Sequence, residues 1–356
     1  MTSRERVLTA LSHRTPDRPP LNYFGTAETD AILMKHLDLP SREALLRHLG
    51  ADMRYVAPRY VGPSHFSGMC GYSTGDTDVW GVGWQQIQAG VSTYNEVASH
   101  PLADARTLGD VRAHPWPQID WFDCSGLKQQ IRELNDPHPH AIVFAAGTGF
   151  FETPWYLRGF ERFLMDLVEF PDIADFLMGK VTAFVKELTL RAIESTDGLI
   201  DIVWSSSDVG MQTGMLMSPD IWRRQIKPHH RELITPFRDM GIMTRYHTDG
   251  SVEAIIEDLI EMGLDLLDPI QPRASGMDAA NLARRFGDRL AFYGGLDTQE
   301  LLPTGTAHEV EREMIRLIEV LGRQGGYIAA ASNAIQADVP PENVVAMFRA
   351  ASSYRY

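Results

Sequence analysis

The feature that most constrains the fold is a series of short, nearly uninterrupted apolar runs after residue 140. They read "AIVFAAG" (141–147), "LIDIVWSS" (199–206), "IMTRYHT" (242–248), "LDLLDPI" (264–270), "LAFYGGL" (290–296) and "GYIAAAS" (326–332). A strand with one wet face alternates apolar and polar residues. A run that is apolar almost throughout is buried on both faces, as in a parallel sheet covered by helices. Two earlier runs, "PPLNYF" (19–24) and "DMRYVAP" (52–58), raise the number of candidate strands to eight.

Helix signals separate these runs. "SPDIWRRQIKPHHRELITPFRDMG" offers Ser218 as N-cap, Pro219 at the first helical position and Gly241 as stop. "SVEAIIEDLIEMG" offers Ser251 as cap and Gly263 as stop. "TAHEVEREMIRLIEVLG" carries the capping-box spacing from Thr306 to Glu309, and "PPENVVAMFRAASSY" supplies a last helix. Strand–helix alternation with short loops means βαβ units. No G-x-G-x-x-G follows the first strand and no Walker loop is present, which disfavours a nucleotide-binding open sheet. The expected fold class is therefore α/β, a (β/α)8 TIM barrel forming one domain over residues 1–356. Residues 60–125 break the rhythm. They are rich in Gly, Pro, Trp and His, and "STGDTDVWGVGWQQIQ" followed by "VSTYNEVASHP" reads as a pair of antiparallel strands. This stretch is expected to be a long insertion after the second strand, shaping the active-site entrance.

Composition removes several function classes. The net charge of −14, from 33 basic and 47 acidic residues, disfavours nucleic acid and anionic lipid as partners. The two cysteines, Cys70 and Cys124, form no C-x-x-C pair, so neither a disulfide framework nor a cysteine-rich zinc module is expected. No apolar run reaches the roughly 18 residues needed to span a membrane. A cytoplasmic protein is the expectation. Exposed barrel faces often pair, and a homodimer is one arrangement open to this chain.

In a barrel of this kind the active site lies at the C-terminal ends of the strands. The polar residues there include Asn22 and Tyr23, Glu152, Asp208 and Gln212, His247 and Asp249, Asp268 and Gln271, and Asn333 and Gln336. Glu152, flanked by aromatic and small residues, is placed to be an acid/base group or a helix first-turn carboxylate. Asp208 is a pocket or turn residue. In "YHTDG", His247 and Asp249 point to one side of an extended chain. They could chelate an ion, act on a substrate, or end a strand at an ordinary turn. Two ligands do not make a metal site.

Several stretches resemble the uroporphyrinogen decarboxylase-like superfamily. They include "SRERVLTALSHRTPDRPP", "GDTDVWGVGWQ", "SSDVGMQTGMLMSPDIWRRQIKP", "YHTDGSVEAIIEDLIEMGLDLLDPIQP", "YGGLDTQELLPTG" and "GGYIAAASNAIQADVPPENVVAMF". The resemblance is nearer the cobalamin-dependent methyltransferase branch than the true decarboxylase. The decarboxylase holds porphyrinogen carboxylates with an arginine-rich stretch where this chain reads "NYFGTAETD". The resemblance implies transfer of a methyl group between a small O- or N-methylated compound and a corrinoid carried on a partner protein. The alternative it implies is a decarboxylase, or other lyase, of a smaller carboxylic acid. The methyltransferase branch binds Zn through a His-x-Cys pair and a later cysteine. His247 matches the histidine, Asp249 stands in place of the first cysteine, and no cysteine lies near Asn333. On this resemblance His247, Glu152 and Asp208 are the expected catalytic residues. Asn22, Tyr23, Gln212, Asp249, Gln271, Asn333 and Gln336 are expected to bind substrate, and His247 with Asp249 to hold any metal.

Overall fold

The structure is a computed structural model that describes residues 1–69, 77–90 and 92–356. Cys70 and the start of the expected strand pair at "STGD" lie outside the described residues. Seven parallel strands form one curled sheet: β1 (Met53–Val56), β2 (Ala141–Ala145), β3 (Ile202–Ser206), β4 (Met243–His247), β5 (Leu266–Ile270), β6 (Ala291–Leu296) and β7 (Tyr327–Ala331). Their order in the sheet is their order in the chain, with every neighbouring pair parallel. Helices connect the strands, as the apolar runs require.

The eighth expected strand, residues 19–24, is a bridge rather than a regular strand. Leu21 pairs in parallel with Ala329 of β7. The Asn22 N–H donates to Ala329 O at 3.1 Å and the Ala329 N–H to Pro20 O at 2.8 Å. On the other side the Asp52 N–H, next to β1, donates to Leu21 O at 2.8 Å. This segment thus bonds to both edges of the seven-stranded sheet. Pro19 and Pro20 have no N–H to give, which limits the ladder to these few bonds.

Asp52 secures that junction. It is fully buried and accepts from Arg6 Nη1 at 2.7 Å, Arg18 Nη1 at 2.8 Å and the Leu21 N–H at 2.8 Å. Arg6 comes from the first helix, Ser3–Leu11, which is closed by a Thr2–Glu5 capping box. Val7 and Leu11 of this helix pack with Met53, Ala141, Ile202, Leu266, Ala291 and Ile328 inside the curl of the sheet. The same helix bonds to the segments entering the strands, through Arg4 N–H to Pro139 O and Gly326 N–H to Ala10 O. It therefore fills the N-terminal end of the lumen and leaves the C-terminal end as the open mouth.

The expected single helix beginning at Ser218 is composite. Ser218 caps Pro219–Ile221, a π-turn spans Trp222–Ile226, and the α-helix Lys227–Asp239 follows. Pro228 cannot supply the N–H that the Arg224 carbonyl would meet in a regular helix, and the wider turn falls there. Ser251 is not a helix cap. Its Oγ donates to Ser275 O at 2.7 Å, and a 3₁₀ turn, Glu253–Ile255, leads into the helix Ile256–Met262. The helix stop at Gly263, with φ of +91°, and the Thr306–Glu309 capping box are as expected. Between β1 and β2, Gly83–Ala89 and Ser92–Ser99 pair antiparallel, and Arg59–Tyr60 pairs with Phe122–Asp123. No helix among the described residues is long and apolar enough to cross a membrane.

Two outcomes follow from this packing. Asp52→Ala takes the carboxylate from Arg18, leaves Arg6 with Asp17 alone, and should lower unfolding free energy by about 3 kcal/mol in a denaturant titration. His230 is fully buried against Phe150, Trp222 and Tyr246. Burial first, and then the neighbouring His229, press its pKa down to about 3 from 6.5. A depressed histidine costs stability only where the unfolded chain binds the proton, below pH 6.5, and the loss grows as pH falls toward 3. Between pH 7 and 5, His230→Gln should therefore lose less thermal stability than the wild type does.

Candidate functional site

The pleat of β4 sends Thr244 and Tyr246 outward and Arg245 and His247 into the lumen. Register places His247 beside Ser206 of β3 and Asp268 of β5, and Arg245 beside Trp204 of β3. Arg245 and Asp268 are almost wholly buried. Arg245 Nε donates to Asp268 Oδ2 at 2.8 Å and Nη1 to the Tyr55 hydroxyl at 2.6 Å. Its guanidinium lies 4.1 Å from the Tyr293 ring centre and 4.8 Å from that of Trp204. Asn22 completes this floor by donating to the hydroxyls of Tyr55 at 2.8 Å and Tyr293 at 2.7 Å.

One layer above, His247 Nδ1 lies 3.3 Å from Asp268 Oδ2. Its Nε2 faces Asp208 Oδ1 and Asp249 Oδ1, each at 3.8 Å. The loops carrying these two aspartates touch backbone to backbone. A Cβ on Gly210 would meet Asp249 O at 2.4 Å, and one on Gly250 would meet Gly210 C at 2.6 Å. Glycine is required at both places, and Gly250 also has a φ of +80°. The glycine that ends "HTDG" is what lets Asp208 and Asp249 converge. Asp208 Oδ1 accepts the Asp249 N–H at 2.9 Å. Asp249 is held by Gln271 Nε2 and Asn333 Nδ2, both at 2.8 Å.

Glu152 opens the helix Glu152–Arg158 behind this group. Its Oε1 accepts the Asp208 N–H at 2.6 Å, and its Oε2 is buried without a partner among the described residues. A Cβ at Gly149 would lie 2.0 Å from Oε2, so only glycine leaves room for the carboxyl. Burial, then the negative charge of Asp208, push the Glu152 pKa up to about 8. For His247, burial works against protonation, but the bond to Asp268 and the charges of Asp268, Asp208 and Asp249 outweigh it and raise the pKa to about 9. Burial lifts the Asp249 carboxyl to about 6, while Arg245 and His247 overcome burial to hold Asp268 low.

Asp208, His247 and Asp249 each offer an atom within 4.8 Å of the others. Asp268 on Nδ1 fixes the ring and leaves Nε2 for the shared space, as it would in a metal-bound histidine. The donor set is one nitrogen and two carboxylates, without thiolate. It fits an oxygen-tolerant divalent ion and lacks the sulfur of a zinc thiolate centre.

Of the residues expected at the site, Glu152, Asp208, His247, Asp249, Gln271 and Asn333 come together, with Asn22 in the floor below. Tyr23 does not join them. It is buried with its hydroxyl on Asp30 and its ring 6.0 Å from Phe348. Gln212 is exposed and uses its backbone carbonyl to accept the Ser275 N–H. Gln336 accepts from the Tyr94 hydroxyl at 3.3 Å. Arg245, Tyr55 and Trp204 are outside the expected set, and Asp268, at the end of the run 264–270, carried no assigned role. An arginine two places before His247 in an otherwise buried strand was the available signal. A groove of about 590 Å³ lined by Lys186, Arg223, Lys227 and Arg231 lies on the outer helices and contains none of these residues.

Comparison with known proteins gives the chain's family and fold. Residues 117–354 match the family described as Uroporphyrinogen decarboxylase (URO-D). Among curated relatives, a uroporphyrinogen decarboxylase of Syntrophotalea carbinolica is 28% identical over 159 residues, 42% of this chain and 43% of that protein. One from Thermus thermophilus is 30% identical over 132 residues, 36% of this chain and 35% of that protein. The chain thus spans less than half the length of these relatives. A solved methyltransferase from Methanosarcina mazei superposes with a TM-score of 0.68 at 18% identity, covering 99% of this chain and 98% of that one. That likeness is one of fold, and the match over two thirds of the sequence settles the lineage: the chain belongs to the uroporphyrinogen decarboxylase family.

Proposed function

We propose that this protein is a methyltransferase. It moves a methyl group between a small O- or N-methylated compound and a corrinoid carried on a partner protein, with the mouth of a (β/α)8 barrel as reaction chamber. The observation that carries this reading is Glu152, a buried carboxyl with one unpartnered oxygen beside the Asp208–His247–Asp249 group. A methyl group on oxygen or nitrogen leaves poorly unless the heteroatom is protonated or bound to a cation. With its pKa near 8, Glu152 keeps a proton at neutral pH and can give it to that heteroatom. Gly149 leaves its carboxyl room, and the Asp208 N–H fixes its other oxygen. A divalent ion bound by Asp208, His247 and Asp249 would polarise the same heteroatom, and Gln271 and Asn333 would hold Asp249 for that task. The whole-chain likeness to a methyltransferase fold supports the reading.

The second reading, decarboxylation of a smaller acid, is favoured by the names of the curated relatives. In it His247 or Asp208 would stabilise or protonate the carbanion-like product. Against a porphyrinogen substrate stands the stretch "NYFGTAETD", which contains no arginine to hold the carboxylates. We also assign residues 60–125 as the insertion that shapes the entrance of a single domain over 1–356. In support, the paired strand Ser92–Ser99 reaches the segments that follow residues 19–24 and β7, beside β1 in the curl. The Thr93 N–H donates to Glu28 at 3.4 Å and the Tyr94 hydroxyl to Gln336 at 3.3 Å.

Mixing the protein with a reduced corrinoid protein and candidate methyl donors should convert the corrinoid's visible spectrum to that of its methylated form. No change with any donor, together with CO2 release from a carboxylic acid, would favour the lyase. Glu152→Gln should fold normally and slow transfer by about 100-fold or more. The wild-type rate should fall as pH rises through about 8, where the Glu152 proton is lost. For the ion, elemental analysis after exposure to a divalent metal should show less bound by His247→Ala than by the wild type. Equal content in both would remove the metal from the account.

A further inference from the structure

The loop that carries Asp208 is held from the outer side of the sheet as well as from the lumen. Ser207 follows β3 directly, and its N–H donates to His247 O at 3.0 Å. The pleat of β4 turns Tyr246, and beyond the strand Thr248, away from the lumen. Both are fully buried. Tyr246 packs on His230 of the helix Lys227–Asp239, with ring centres 4.4 Å apart. Thr248 Oγ1 accepts the Val209 N–H at 3.3 Å. Two outward side chains of one strand thus fix the segment 207–209 from behind.

The hydrogen bonds in this layer run in one direction. Tyr246 O–H donates to Ser207 O at 2.7 Å. With that proton engaged, the Ser207 hydroxyl, 2.9 Å away, is the donor to Tyr246 Oη. His230 Nε2 lies 3.3 Å from Ser207 Oγ, and Nδ1 is buried without a partner among the described residues. A buried N–H left unanswered is rarer than an unanswered lone pair, so the ring proton belongs on Nε2 and points at Ser207 Oγ. The series passes from His230 to Ser207 Oγ, from there to Tyr246, and from Tyr246 to Ser207 O. That carbonyl shares one peptide group with the Asp208 N–H, which donates to Glu152 Oε1 at 2.6 Å. A hydrogen bond accepted by a peptide carbonyl polarises the group and strengthens the bond its N–H donates. The peptide is also planar, so whatever fixes the Ser207 carbonyl aims the Asp208 N–H.

We propose that Tyr246 is a positioning residue for Glu152: its hydroxyl, held by Ser207 Oγ and His230, aims the Ser207–Asp208 peptide so that the Asp208 N–H stays on Glu152 Oε1 and leaves Oε2 for the substrate. This rests on the reading of Glu152 as proton donor above. It extends the working part of the site through the wall of the sheet to the helix Lys227–Asp239. Tyr246 touches no reacting atom and acts through the peptide alone. Without its hydroxyl the Ser207 carbonyl loses this donor, the peptide can tilt, and the short bond to Glu152 lengthens.

Ser207–Asp208 is the one Ser-Asp step in the chain, so serine labelled with ¹³C at its carbonyl and aspartate labelled with ¹⁵N isolate this amide in an NMR spectrum of the intact protein. In the wild type the amide proton should resonate downfield of ordinary amides, and Glu152→Ala should return it upfield. Tyr246→Phe keeps the ring and should move the same resonance upfield. His230→Phe, further along the series, should move it less. In methyl transfer, Tyr246→Phe should lower kcat about fivefold, the contribution of one neutral hydrogen bond, with KM for the donor unchanged. A wild-type amide at the ordinary position, or one that Tyr246→Phe leaves in place, would overturn the proposal. If Tyr246→Phe fails to fold, the wild-type and His230→Phe spectra decide by the same movement. If the resonance moves but Glu152→Gln transfers methyl groups at the wild-type rate, the proton-donor reading fails and the positioning stands. If Glu152→Gln is slow and the resonance does not move, the reverse holds.

Discussion

Every strand of the sheet sends alternate side chains into a lumen whose lower end is closed by Val7 and Leu11 on the inward face of the first helix. A polar group placed there must find its partner on another strand or remain unsatisfied. Asp268 is where this constraint is resolved. Its Oδ2 takes Arg245 from below and His247 from the side, so a single carboxylate from β5 neutralises the floor and aims the imidazole. Breaking that contact would leave a buried guanidinium uncompensated and free the ring of His247. The Tyr55–Asn22–Tyr293 bonds and the Trp204 contacts are built around the same guanidinium.

The mouth is a second consequence of backbone geometry. Gly210 and Gly250 let two loops meet without side chains between them, and Gly149 leaves space for Glu152. These glycines set the spacing of three carboxyl groups and one imidazole. Carboxyl groups so close cannot all be charged at little cost. Glu152 takes the proton because it is the most buried and has one oxygen without a donor, while His247 takes its own because three aspartates surround it. The environments that push Glu152 and Asp268 in opposite directions are those that would separate a proton donor from an orienting base.

Much of this was legible in the sequence. Continuous apolar runs expose the parallel sheet, and the glutamate, aspartates and histidine at the ends of three of those runs mark the rim. The first run, 19–24, reads as a full strand, but Pro19 and Pro20 supply no N–H and only a bridge to β7 forms. Ser251 was overread as a cap because serine before an apolar run fits both a cap and a loop anchor. Nearness to a strand end does not fix where a side chain points: Tyr23 turns to Asp30 and Phe348, Gln212 is exposed in a turn, and Gln336 meets Tyr94 of the inserted strand pair. Arg245 and Trp204 were missed for the complementary reason. Their lumen-facing role comes from register against β3 and β5, which spacing within one strand does not reveal. His247 and Asp249 are brought to a common centre by Asp208, a third partner 39 residues before the histidine that no local motif announces.

The central claim is that the reacting group at this mouth is a methyl carbon. Following a donor labelled with ¹³C in its methyl group by NMR, in the presence of the protein and a reduced corrinoid protein, tests it most directly. The account predicts that the donor's methyl resonance disappears as a cobalt-bound methyl resonance grows at the same rate. Label that stays in the donor, while a carboxyl-labelled acid incubated with the same protein releases labelled CO2, would contradict it.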